Sequence, residues 1–125
     1  MLLDTTFKLQ HTDVQVRVLV FDTLKAMRAS NPKGLAGADA GCEAMSFDNP
    51  VWVTLSFAVK RLYMEYIAHE SVHAAMAVGR RGMPERWVGM IGHDEEERIA
   101  YPTGYICEGV RLALLQANLP VLVRP

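Results

Sequence analysis

The chain has 125 residues, half of them hydrophobic and 22% charged, with a formal net charge of −1. That length suits one domain, 1–125, burying about two-thirds of its unfolded surface without covalent staples. The near-neutral balance excludes the basic footprint of a nucleic-acid binder, and two cysteines are too few for a disulfide scaffold.

The first residues, Met-Leu-Leu-Asp-Thr-Thr-Phe-Lys, lack a basic region followed by an apolar core, so no secretory leader is expected. No apolar run reaches the roughly 20 residues of a membrane span. A cytoplasmic protein without nucleic-acid or membrane partners is the expectation. From Thr6 to Phe21 the pattern alternates: Val14, Val16, Val18 and Val20 share one face, with Gln15, Arg17, Leu19 and Phe21 on the other. Period two with β-branched residues predicts a strand, preceded by a short one over Thr6–Gln10 and a turn at His11-Thr12-Asp13. His11 is read as a surface turn residue. Asp22 is the expected N-cap of a short helix over Thr23–Ala29, stopped by Ser30-Asn31-Pro32-Lys33-Gly34. The small-residue stretch Leu35–Gly41 lacks the G-x-x-x-x-G-K-[ST] of a phosphate loop and is read as a plain loop.

Cys42–Phe47 and Val51–Phe57, joined by Asp48-Asn49-Pro50, predict a hairpin. A helix is expected from about Lys60 to Gly79, with Arg80 and Arg81 at its negative end. It is almost without polar residues between Tyr66 and Val78, which predicts a buried central helix. The last helix is expected to start at Asp94, followed by Glu95, Glu96 and Glu97, and to run to about Ala117. Pro102 removes one of its hydrogen bonds and predicts a kink. The tail from Leu119 is apolar enough to dock on the body. Cys42 and Cys107 are read as two reduced, buried thiols, although a bridge between them stays open.

The central helix carries His69-Glu70-Ser71-Val72-His73, an H-E-x-x-H sequence. Residues four apart on an α-helix lie about 40° from each other around the axis. His69 and His73 therefore project together, one turn apart, as two imidazoles sharing one zinc ion require. Glu70 lies about 100° round, beside the metal, where a carboxylate can take a proton from a water held there. Two histidines and a glutamate on a buried helix are costly unless paired or bound. One alternative keeps Glu70 as an ion-pair partner of Arg98 or Arg111.

Catalytic zinc usually has three protein ligands. The acidic start of the last helix is the nearest supplier, although Asp94 as N-cap with Glu97 three residues on is also a capping box. The sequence H-E-x-x-H followed by Asp94-Glu-Glu-Glu97-Arg98-Ile99-Ala100-Tyr101-Pro102-Thr103-Gly104-Tyr105 resembles the gluzincin metallopeptidases. It is similar in particular to the short, single-domain zincin-like metallopeptidases of tailed phages and prophages. The similarity spans about residues 14–110, and only its two motifs are specific. It implies zinc held by His69, His73 and Glu97, with Glu96 as the neighbouring candidate. His93, Tyr101 and Tyr105 are further candidates, the tyrosines for stabilising an oxyanion. Tyr101 stands where such enzymes often place a second acid, and Pro102 where they place an apolar helix former.

The expected fold is α+β, a small, mostly antiparallel sheet packed on the central H-E-x-x-H helix and a C-terminal helix. The expected function is zinc-dependent hydrolysis of a peptide or protein substrate, with Glu70 as general base and Val51–Phe57 as a strand edge for the substrate. If the chain is phage-encoded, it acts in the host cytoplasm. The alternative is a non-catalytic, zinc-stabilised binding module of phage origin that occupies a host factor. An amidase acting on cell-wall substrates would share the same site.

Overall fold

The computed structural model describes residues 1–84, 87–89 and 94–124. The fold is α+β. Strand β1 (Leu3–Lys8) and strand β2 (Gln15–Phe21) form an antiparallel hairpin that begins earlier than the alternation predicts. Its turn closes through the Leu9 amide donating to the Val14 carbonyl at 2.9 Å, and His11 sits there with φ 66°. Helix α1 (Leu24–Ser30) follows. Its cap is Thr23 rather than Asp22, because the Thr23 hydroxyl accepts from the Ala26 amide at 3.0 Å.

Strand β3 (Ala40–Ala44) and strand β4 (Val51–Ala58) form the second, antiparallel hairpin, with β3 starting two residues before the expected Cys42. The sheet order is β1-β2-β4-β3, and β2 runs parallel to β4. Two of the three pairings are antiparallel, as expected, but β4 is an interior strand. Both of its edges are occupied, so Val51–Phe57 has no edge for a substrate; the free edge on that side belongs to β3.

A 3-10 turn over Val59–Arg61 leads into helix α2 (Met64–Gly82), so the helix starts four residues later and ends three residues later than predicted. Gly82 takes φ +140°, a conformation that favours glycine, and Met83-Pro84 carry the chain away. Helix α3 (Glu95–Gln116) has Asp94 as N-cap, its carboxylate accepting from the Glu97 amide at 3.0 Å. Pro102 is buried within α3, which continues through it.

The pleat decides the layers. Val14, Val16, Val18 and Val20 point to the face covered by α2 and α3, where they meet Val53, Leu55, Phe57, Ile67, Val78, Ile106 and Leu114. Each large side chain fully buried there contributes about 1.5–3 kcal/mol. Leu19 and Phe21 point the other way and pack with Met27 and Leu35 beneath α1. Gly109 brings α3 against the Phe7 ring with no space for a Cβ.

Three clasps hold α2 in place. Arg81 donates to the carbonyls of Ser46, Phe47 and Asn49 at 2.8–3.1 Å and stacks 4.5 Å over Trp52, fixing the end of α2 to the β3–β4 turn. The tail docks, as its composition predicts: the Leu122 amide donates to the Leu62 carbonyl at 2.8 Å. Arg124 then pairs with Glu65 and stacks 4.6 Å over Tyr63. No helix among the described residues is long and apolar enough to cross a membrane.

Candidate metal centre

Helix α2 buries only one face. Ile67, Glu70, Ser71, Ala74, Ala75, Ala77 and Val78 turn inward, while His69, Val72, His73 and Met76 are exposed. This corrects the expectation of a helix buried all round. The alanines permit close approach of α2 to its neighbours, and Ser71 satisfies its buried hydroxyl by donating to the Ile67 carbonyl at 2.7 Å. The two histidines thus stand at the open side of a packed helix, fixed in backbone and free in access.

The helical spacing brings the pair together as predicted. Nε2 of His69 and Nε2 of His73 are 3.2 Å apart, with the rings edge to face at 4.8 Å. Two nitrogens each 2.0–2.1 Å from a tetrahedral zinc would stand about 3.3 Å apart. The pair therefore fits one edge of such a coordination shell. The His69 side chain is 67% exposed and that of Glu70 only 11%, yet Glu70 Oε1 lies 4.0 Å from His69 Nε2. Burial pushes the Glu70 carboxyl above the usual glutamate range, against the smaller downward pull of His69 and His73.

Glu70 sits where two depressions meet along β3. One, about 270 Å³, is lined by Ala40, Cys42, Ala44, His73, Ala77 and Arg80 as well as Glu70. The other, about 310 Å³, is lined by Ala38, Asp39, Glu65, Tyr66, His69 and Glu70. Sequence reasoning did not assign Arg80 to the site. The available signal was its position seven residues after His73, two turns along the same face.

Cys42 is a free thiol on this wall, pushed up to about 12 chiefly by burial and next by the Glu70 charge, with Arg80 pulling weakly the other way. A thiol at that value carries roughly a thousandth of the thiolate of an ordinary cysteine at pH 8. Cys42 is accordingly expected to resist iodoacetamide in the folded protein, by about 100-fold or more, and to react freely in urea. Peptide mass spectrometry checks this; equal rates in both states would place Cys42 outside the packed wall. Cys107 is also free, and burial raises its thiol too.

The acidic residues of α3 do not join the histidines. Glu96 and Glu97 are exposed, and Glu97 lines a different cleft of about 540 Å³ with Gln10, Tyr101, Gly104, Tyr105 and Glu108. Tyr105 stacks on Trp87 at 5.4 Å. Arg111 is engaged by Glu108 at 2.7 Å rather than by Glu70. His93 lies outside the described residues. Among the described residues no three His, Cys, Asp or Glu side chains form a group that could hold a metal ion. No protein-family model, curated protein or solved structure matches the chain.

Proposed function

We propose that this protein is a zinc-dependent metallopeptidase of the gluzincin type, in which His69 and His73 hold the metal and Glu70 is the general base. The observation that carries the reading is the 3.2 Å approach of two imidazole nitrogens on an open helix face, with a part-buried carboxylate 4.0 Å from one of them. The motif calls for a third donor, and the resemblance points to Glu97; it lines a separate cleft here, so the first turn of α3 would have to swing toward the histidines for it to bind. When bound, zinc would supply a Lewis acid for a carbonyl and acidify water.

The remaining chemistry belongs to the chain. Glu70 accepts a proton as water oxygen bonds to the substrate carbonyl carbon. It returns that proton to the amide nitrogen as the C–N bond breaks. A carboxyl raised by burial is better matched to taking and giving a proton near neutrality than an exposed one. The outer edge of β3 passes both depressions that Glu70 joins, and its unpaired backbone groups suit an extended peptide added as a further strand.

Metal content tests the reading. Wild type is expected to carry one zinc per chain by elemental analysis, and His73→Ala to lose it. Loss in Glu97→Ala as well would establish the third donor, whereas retention would assign that position to another group. Wild type that takes up no zinc, even after addition, would end the proposal.

A further inference from the structure

We propose that Arg80 makes the cleft beside β3 a reader of acidic peptides, its guanidinium receiving a substrate carboxylate about four to five residues from the bond held at Glu70. The position of that bond rests on the hydrolase reading; the preference for acidic peptides does not. Arg80 lies two helical turns after His73 on the same face and ten residues after Glu70, about 15 Å further along α2. An extended chain covers about 3.3 Å per residue, so a strand laid on β3 reaches from Glu70 to Arg80 in about four to five. The two residues line one depression, with Ala40, Ala44 and Ala77 leaving room for side chains.

The charges along the cleft are asymmetric. At its far end Asp39 is paired with Arg28 at 3.6 Å, and Glu65 with Arg124. The neighbouring Arg81 is consumed by backbone carbonyls and the Trp52 ring. The Arg80 side chain makes no hydrogen bond or ion pair with another described residue, and Arg80 is exposed. A planar guanidinium with open donors matches a carboxylate in two parallel hydrogen bonds. A lysine side chain at the same register would meet like charge.

The test uses the full-length Glu70→Gln protein and dye-labelled, C-terminally amidated octapeptides of alanine and serine. In these a single aspartate or a single lysine is moved through every position. Fluorescence anisotropy is expected to show one register at which the aspartate peptide binds about tenfold tighter than its lysine counterpart. That advantage should shrink in high salt and vanish in Arg80→Gln. In Arg80→Glu the preference should reverse. Circular dichroism checks that both variants fold, as an exposed helix position permits. No peptide binding, no aspartate preference at any register, or an unchanged preference in Arg80→Gln would overturn the inference. The same peptides given to zinc-loaded wild type separate the two readings by mass spectrometry. Acid-selective binding without cleavage defeats the hydrolase alone, and cleavage indifferent to aspartate defeats the acid reader alone.

Discussion

Glu70→Gln is expected to lower peptide hydrolysis by roughly 10²–10⁴-fold while zinc content stays at the wild-type level. Glutamine has the same shape and occupies the same part-buried place on α2, so neither His69 nor His73 needs to move. What it lacks is a group that can take up the proton of the attacking water. The same substitution has a second readout in protein stripped of metal with EDTA. Burial holds the folded-state carboxyl of Glu70 above its unfolded value, so the folded chain binds that proton more tightly. Stability from this group is then full below the unfolded value and falls as pH rises through the raised one. Glu70→Gln should melt above wild type at pH 7, and the gap should close at pH 3. Turnover surviving in Glu70→Gln would sink the mechanism. Zinc bound by a wild type that cleaves no peptide would favour the zinc-stabilised binding module instead.

The histidine pair was legible because it depends on one helical turn, and a turn has fixed geometry. Its setting was not. Val72 and Met76 are 39% and 43% exposed, so apolar residues on the open side of α2 made the helix read as buried all round. The place of Glu97 was not legible for a different reason: this proposed third donor is 24 residues from His73 in sequence, nothing local fixes how α3 turns its first residues, and it lines a separate cleft. The Asp94 cap, also legible, accounts for part of the acidic cluster without any metal.

In the sheet, local signals again outran distant ones. Alternation at Val14–Val20 assigned the core face, and Asn49-Pro50 marked the second hairpin. The parallel pairing of β2 with β4 is set by the crossover through α1 and β3, which no short window contains. One sign of it was present. From Val53 to Ala58 every residue of β4 is buried, and Thr54 and Ser56 join that run at 6% exposure each. Strands covered on both faces lose clean alternation. Reading that run as interior would have moved the peptide edge from β4 to β3.

Trp87→Ala is expected to destabilise the domain by about 3–5 kcal/mol, as for other large-to-small changes at fully buried aromatics. Trp87 lies between α2 and α3 and is only 1% exposed. Its ring stacks on Tyr105 of α3 at 5.4 Å, and its Nε1–H donates to the Gln10 carbonyl at 3.1 Å. One side chain thus ties the β1–β2 turn to the middle of α3. For a domain of this size the loss corresponds to a fall in Tm of about 10–20 °C. Trp87→Phe keeps a ring for the stack and gives up the donor; because Gln10 is exposed and water can replace that bond, its cost should be nearer 1 kcal/mol. Urea unfolding followed by circular dichroism measures both. A cost below 1 kcal/mol for Trp87→Ala would mean that α3 is held by its contacts with α2 and the sheet, without help from Trp87. If Glu97 ligates zinc, loosening α3 should also weaken metal binding in Trp87→Ala under conditions where the variant remains folded. Unchanged affinity there would place the whole metal shell on α2 and its β3 wall.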